Sequence, residues 1–297
     1  MPPERRLGRP HVEAAQQGLL NAMSVDVEDW FQVGAFENVI DRDDWDRLPQ
    51  RVERNSRAVL DIFARADVKA TFFTLGWVAA RFPALVRQIA EAGHEVASHG
   101  WDHRRVFTMT PAEFRADLQR SQIAIEDACG QSPRGYRAPS FSIDPRTPWA
   151  HSVLAEEGYD YSSSVAPLRH DHYGWPEAPA CAHRPLPDSP LIELPVTTTM
   201  IAGKRIVAGG GFFRLLPFAV SRRAIREQQR REQPAIFYFH PWEIDRDQPR
   251  VRNAPLKSRL RHYSRLSAME GKLSKLLDEF PWGRTDDVVA HERMRLP

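Results

Sequence analysis

The sequence predicts an α/β barrel in which short, mainly parallel strands alternate with amphipathic helices. Short apolar runs alternate with stretches whose apolar residues recur at the helical period. About seven such β-α units follow one another, which favours one barrel over two separate domains. The chain has 297 residues, and α/β barrels of about 250 residues form single domains.

The predicted strands are apolar runs of four to six residues that end at polar residues or at glycine. The run at 70–75, for example, stops at Gly76, which favours a turn. We expect strands at 22–27, 70–75, 94–98, 135–138, 159–162, 191–196 and 235–240.

The predicted helices carry recognisable start and stop signals. Thr110 is placed as an N-cap with Pro111 at the first helical position and Glu113 three residues after the cap, which is the capping-box pattern. We expect helices at 51–66, 83–92, 110–129, 148–157, 217–233 and 261–280.

The domain organisation follows from the segments that lack any period. We predict a flexible N-terminal tail at 1–20, a single barrel with a C-terminal extension at 21–283, and a polar tail at 284–297. The proline-rich segment 163–190 is predicted to be a long surface excursion.

Composition excludes several classes of protein. The 41 basic and 39 acidic side chains give a net charge of +2, without the basic excess of a nucleic-acid-binding protein. Cys129 and Cys181 are too few for a disulfide framework. The sequence shows neither a secretory signal nor an apolar run long enough to span a membrane, so we expect a cytoplasmic protein, with a place at the inner membrane face left open. The oligomeric state is left open.

Polar side chains follow four of the predicted strands. In α/β barrels, catalytic groups project from the C-terminal strand ends. Asp26 and Glu28 share one face at the end of the first strand. The other strand-end groups are His99 and His103 after the third strand, Arg137 after the fourth, and His240 after the last.

These residue types are typical of a metal-assisted hydrolase. Two histidines and one carboxylate form a known catalytic zinc set. A second carboxylate is then free to act as general base, and His240 can protonate a leaving group. Arg137 can hold the base carboxylate by charge-assisted hydrogen bonds.

The ordered motifs resemble those of carbohydrate esterase family 4, the polysaccharide deacetylases with a NodB-homology domain. The matching motifs are Asp26-Val-Glu-Asp, His99-Gly-Trp-Asp-His, Arg137-Ala-Pro and Phe239-His-Pro, within about residues 20–245. The segments 26–33 and 209–214 are most similar to the bacterial group associated with exosortase and exopolysaccharide loci. The resemblance implies a distorted (β/α)7 barrel and metal-dependent removal of N-acetyl groups from N-acetylhexosamine residues of a glycan.

The resemblance also implies roles for individual residues. The metal is expected to be zinc, with cobalt, nickel or iron as alternatives. The implied roles are Asp26 as base, His240 as acid, Arg137 as the residue that orients the base, His99, His103 and Glu28 as metal ligands, and Ser140 with Pro139 and Trp101 at the oxyanion and substrate.

This sequence departs from the common family pattern at three places. Val27 separates two residues that are usually adjacent aspartates, so Asp29 stays an alternative to Glu28 as the third ligand. Gly100 stands where serine or threonine is usual, and Ser140 replaces an aromatic residue.

Two other functions remain open from sequence. They are a hydrolase of small linear or cyclic amides and a catalytically silent glycan-binding module. The near-neutral net charge favours a neutral glycan over a polyanion.

Overall fold

A computed structural model describes residues 19–170 and 173–296, so nearly all of the predicted N-terminal tail lies outside the described residues. Its main sheet is parallel and runs in the order β10-β1-β2-β3-β4-β5-β6, with β9 also paired to β1. The strands are β1 Asn21–Val27, β2 Thr71–Thr74, β3 Glu95–Ser98, β4 Gly135–Tyr136, β5 Tyr161–Ser162, β6 Ile192–Glu193, β9 Ile236–Phe239 and β10 Trp282–Gly283, while β7 Thr198–Ile201 and β8 Lys204–Val207 form a separate antiparallel pair.

The sheet curves into a barrel that is left open on one side. In the part of the chain that the structure describes, β6 and β9 do not pair as strands. Thr197, just after β6, bridges the gap: its N–H donates to the Ile236 carbonyl at 3.0 Å, and its hydroxyl accepts from Ile236 N–H at 2.8 Å. The predicted (β/α)7-type barrel is confirmed.

The helices surround the sheet and alternate with its strands. The predicted capping box is confirmed: Thr110 Oγ1 accepts from Glu113 N–H at 3.2 Å, and the Glu113 carboxylate accepts from Thr110 N–H at 2.8 Å. The helices are α1 Val52–Ala66, α2 Gly76–Arg81, α3 Pro83–Glu91, α4 Pro111–Cys129, α5 Ala150–Glu156, α6 Gly210–Leu215, α7 Phe218–Arg230, α8 Leu256–Tyr263, α9 Leu266–Glu279 and α10 Thr285–Arg295. None of the described helices is long and apolar enough to cross a membrane.

The predicted C-terminal tail is wrong, because its residues form helix α10. Val288 and Val289 are buried against Ala22 and Phe73 at the N-terminal end of the barrel strands. Strand β10 pairs with β1 and ends two residues before helix α10 begins, which places the helix at this end of the sheet. The two buried valines, together with the hydrogen bond that Thr285 N–H donates to Thr71 Oγ1 at 2.7 Å, dock a helix that is otherwise polar.

The predicted surface excursion at 163–190 is also partly wrong. Residues 163–168 are buried, and Val165 and Leu168 belong to the hydrophobic core. The β7–β8 hairpin was not predicted from the sequence. It turns at Ala202 and Gly203, whose φ angles are +47° and +78°.

Candidate active site

The candidate active site is a cavity of about 290 Å³ at the C-terminal ends of the parallel strands. Its wall includes charged side chains from β1, from the segment after β3 and from the segment after β9. The lining residues with polar or aromatic side chains are Asp26, Glu28, Glu37, Asn38, His99, His103, Arg105, Ser140, Phe141, Tyr173, Tyr238, His240, Trp242, Ser258 and Arg261.

Three side chains in this cavity form a potential metal site. Ligand atoms of Glu28, His99 and His103 all lie within 4.8 Å of one another, and Glu28 and His99 are buried. His103 Nε2 is 3.0 Å from Glu28 Oε2. Burial opposes ionisation of Glu28, but attraction to His103 and His240 outweighs it and lowers the pKa of Glu28 to about 2. The carboxylate is therefore ionised at neutral pH.

A backbone carbonyl orients His99. Nδ1 of His99 lies 2.8 Å from the carbonyl oxygen of Arg137. Burial, the largest influence, lowers the pKa of His99 to about 4. A neutral ring that donates Nδ1–H to this carbonyl keeps the lone pair on Nε2, the arrangement common for metal-binding histidines.

The structure separates the two carboxylates that the sequence left open. Asp29 accepts hydrogen bonds from the backbone N–H groups of Trp30, Arg51 and Val52 at 2.8, 2.6 and 2.9 Å. It therefore satisfies donors at the start of helix α1. Burial raises the pKa of Asp29 to about 6. Glu28, rather than Asp29, lies with the two histidines.

Arg137 fixes the position of Asp26. Its Nη1 donates to Asp26 Oδ1 and to Ser24 Oγ, both at 2.7 Å. Its Nε and Nη2 donate to the carbonyl and hydroxyl oxygens of Ser163, at 3.1 and 2.9 Å. Arg137 also lies over the ring of Phe73, with the guanidinium carbon 4.0 Å from the centroid. Its fully buried charge is thus compensated, and Asp26 is left with Oδ2 directed toward His240 at 3.9 Å.

A chain of buried charged groups lies behind His240. His240 Nδ1 is 2.8 Å from Glu243 Oε1, and Arg214 Nε donates to Glu243 Oε2 at 2.9 Å. Burial works against protonation of His240, but Glu28, Glu243 and Asp26 together raise its pKa to about 9. Glu243 and Arg214 are not among the site residues predicted from the sequence. The available signals were the carboxylate three residues after His240 and the arginine that closes the 209–214 motif.

Trp242 connects Glu28 with His240. Its indole N–H donates to Glu28 Oε1 at 3.1 Å. Its ring stacks on His240 with centroids 5.1 Å apart, and on His262 with centroids 4.2 Å apart. This packing restricts the rotation of His240 while leaving its Nε2 toward the cavity.

The three residues expected to contact the substrate or the oxyanion, Ser140, Pro139 and Trp101, do not all line the cavity. Ser140 lines the cavity and has a left-handed backbone, with φ of +56°. Pro139 and Trp101 are not part of the cavity lining; Trp101 packs instead under the guanidinium of Arg120, 3.5 Å from its ring centroid. The geometry therefore gives no support to a sugar contact by Trp101.

The loop between the two histidines is held despite the glycine at position 100. Asp117 Oδ2 accepts from Trp101 N–H at 3.0 Å. Gly100 has φ of +76°, and a Cβ added there would lie 3.0 Å from the same oxygen. A carboxylate from helix α4 thus supplies a hydrogen bond to the loop, and it leaves little room for a side chain at Gly100.

Two family models match successive parts of the chain, and the boundary between them falls just after β5. Residues 43–162 match the model described as polysaccharide deacetylase, and residues 163–290 match a domain of unknown function, DUF3473. An 86-residue segment is 40% identical to the peptidoglycan-N-acetylglucosamine deacetylase PgdA of Listeria monocytogenes, covering 29% of this chain and 18% of that protein. A 98-residue segment is 39% identical to the chitooligosaccharide deacetylase of Bradyrhizobium sp., covering 33% and 42%. The chain thus matches less than half the length of these relatives.

Solved structures support the same fold. A Mycobacterium smegmatis structure described as a candidate polysaccharide deacetylase superposes with a TM-score of 0.62 at 21% identity, covering 94% of this chain and 92% of that one. Puue allantoinase gives a TM-score of 0.58 at 16% identity, covering 93% and 90%. The chain therefore shares the fold of these proteins, and its residues 43–162 match the polysaccharide deacetylase family model.

Proposed function

We propose that this protein is a metal-dependent deacetylase that removes N-acetyl groups from N-acetylhexosamine residues of a bacterial exopolysaccharide or related glycan. The observation that carries the proposal is the convergence of two buried carboxylates and three histidines on one cavity. The names of the deacetylase relatives support the reaction type. The motifs at 26–33 and 209–214 are the support for an exopolysaccharide.

The donor set fits a divalent metal. The buried Glu28 Oε2 makes no hydrogen bond of acceptable geometry, although two histidines surround it. A cation held by Glu28, His99 and His103 would satisfy that oxygen. When bound, such a metal polarises a carbonyl and makes water more acidic. Zinc is our first choice, and cobalt, nickel or iron suit the same donors.

The chain's own groups supply the proton transfers. Asp26, held by Arg137, accepts a proton from the attacking water. His240, protonated because Glu28, Glu243 and Asp26 raise its pKa, donates a proton to the departing amine. The carbon–nitrogen bond of the acetamide breaks, and the products are acetate and a free amino sugar. We assign the backbone N–H of Ser140 to stabilise the developing oxyanion.

Acetate release from N-acetylglucosamine oligomers tests this proposal. We expect release by the full chain, loss of release with a chelator, and recovery on adding zinc. Asp26→Asn should abolish turnover while metal stays bound. Asp61→Asn, the same change at an exposed position of helix α1, is the matched control.

Two outcomes would contradict the proposal and identify the alternatives. Hydrolysis of small linear or cyclic amides without release from oligomers would indicate an amide hydrolase. Oligomer binding without any acetate release, with metal present, would indicate a silent glycan-binding module.

A further inference from the structure

A second groove, of about 820 Å³, adjoins the candidate active site and shares Arg261 with it. The groove is formed by the segment after β5, the β7–β8 hairpin, helix α6 and helix α8. All of these elements belong to the region matched as a domain of unknown function. None of its side chains has a role in the proposed reaction.

The groove is strongly basic. Of the residues that the structure describes, those lining it include Arg169, Lys204, Arg205 and Arg261 but no carboxylate. Arg169 and Lys204 are exposed and form no ion pair with another described residue. A local excess of this size contrasts with the net charge of +2 of the whole chain.

Several arginines elsewhere on the surface are paired with nearby acids. Arg222 and Arg226 of helix α7, for example, both contact Glu279, at 2.5 and 2.8 Å. Like charges gathered without counter-charges repel one another and create a positive potential that attracts anions. Since the groove cations Arg169 and Lys204 form no ion pair with any described residue, the groove points to an anionic ligand.

Part of the groove lining is apolar, which indicates that the ligand has an apolar surface as well as a charge. Leu168, Ile206 and Phe212 contribute to it, and Met200 is 47% exposed at its edge. Sugar rings present apolar C–H faces as well as polar edges. An apolar floor with a cationic rim suits a sugar that carries a carboxylate better than it suits a simple inorganic anion.

We propose that this groove binds an acidic sugar of the glycan, a few residues along the chain from the N-acetylhexosamine in the active site. This inference rests on the proposed function, because Arg261 joins the groove to the catalytic cavity. It assigns a substrate-selecting role to the 163–290 region. It also departs from the neutral glycan that the net charge favoured.

The test compares two substrates that differ only in charge. One is an oligosaccharide alternating N-acetylglucosamine with glucuronic acid, and the other is the same oligosaccharide with its carboxyl groups reduced to alcohols. We expect the full chain to have the higher kcat/KM on the acidic form. The preference should shrink at about 1 M salt, where charges are screened within about 3 Å.

Removing two groove cations should reduce this preference. In the double variant Arg169→Gln, Lys204→Gln, we expect the ratio of kcat/KM, acidic over reduced, to fall about 2- to 30-fold, as expected for the loss of two exposed ion pairs. Arg223→Gln with Arg230→Gln removes the same charge from exposed positions of helix α7 and should leave the ratio unchanged.

Each alternative outcome has a definite meaning. An equal ratio in the wild type and the groove variant overturns the inference even if acetate is released. If neither substrate releases acetate, the proposed function fails, and the Kd of the acidic oligosaccharide for wild type and groove variant then decides the inference separately. Binding to phosphatidylglycerol vesicles that depends on Arg169 and Lys204, without any glycan preference, would overturn it in favour of a lipid surface.

Discussion

His240 Nδ1 lies 2.8 Å from Oε1 of Glu243, three residues later in the short 3-10 helix Pro241–Ile244. Both side chains come from one turn, so His240 and Glu243 are positioned together by local backbone geometry. Arg214, from a different segment, holds the other carboxylate oxygen. The ring orientation of His240 is thus set by a buried ion pair that does not itself reach the cavity.

Glu243→Gln should lower kcat while leaving the metal content unchanged. The amide cannot stabilise the imidazolium as the carboxylate does, so we expect a loss of about 10- to 100-fold, part of the usual contribution of a general acid. Steady-state kinetics and metal analysis check this. Glu243→Asp, which keeps the charge, should retain more activity than Glu243→Gln; equal activity of the two variants would contradict the assignment.

Glu28→Gln and Asp29→Asn should affect two different properties, metal affinity and the free energy of unfolding respectively. Glu28→Gln removes a proposed ligand, so its metal affinity should fall by more than the roughly 10- to 100-fold typical of an outer partner. Asp29→Asn weakens the bonds to the start of helix α1 and should cost about 1–3 kcal/mol of unfolding free energy. Metal titration and denaturant unfolding separate the two. Normal metal binding by Glu28→Gln would refute the ligand set.

Protonation of His94 should destabilise the fold in acid. Burial is the main cause that lowers its pKa to about 4 in the folded chain, whereas the unfolded chain has the ordinary value near 6.5. Because the unfolded state binds the proton first, the free energy of unfolding should fall as the pH drops from about 6.5 to about 4.

His94→Asn should reduce that pH slope. Asparagine can still accept the hydrogen bond that Ala70 N–H donates to His94 Nδ1 at 3.1 Å, but it does not titrate. Urea unfolding at several pH values measures the slope. His99 and His262, also buried with lowered pKa values, should preserve part of it. An unchanged slope in the variant would show that His94 does not contribute.

Val288→Ala should destabilise the protein although the residue lies far along the chain from the site. The valine is buried against the barrel, and losing two methyl groups should cost about 1–3 kcal/mol. Met294→Ala, on the same helix but 80% exposed, should change stability by less than about 0.5 kcal/mol. Similar effects of both substitutions on thermal unfolding would contradict the docking of helix α10.

The barrel and the strand-end groups were predictable because each depends on short-range patterns. Buried strands are continuous apolar runs, and parallel strands bring their carboxyl ends to one edge. Asp26, His99 and His240 therefore line one cavity, and Arg137 contacts Asp26. Sequence alone did not decide between Glu28 and Asp29. The decision depends on the tertiary contact of Asp29 with Arg51 and Val52, which strand periodicity does not encode.

The features that sequence reasoning missed are those with weak local patterns. Helix α10 buries only two valines among its described apolar residues. Strands β7 and β8 are partly exposed, and their sequences mix polar and apolar residues, so no continuous apolar run marks them. The residues adjacent to Arg214 in the sequence do not indicate that its side chain is buried. It is buried because Glu243 and the carbonyl groups of Arg261 and Ser264 satisfy its guanidinium.

Strand β1 carries Asp26 and leads directly into Glu28, yet two of its three neighbouring strands, β9 and β10, come from near the other end of the chain. Ser24 Oγ donates to the carbonyl of Phe237, 213 residues away. During synthesis, β1 therefore leaves the ribosome long before β9 exists, and that edge of the strand stays unpaired until β9 has been made. His240 directly follows β9, so it is made at the same late stage. Asp26 of β1 and His240 therefore come together only after β9 has joined the sheet.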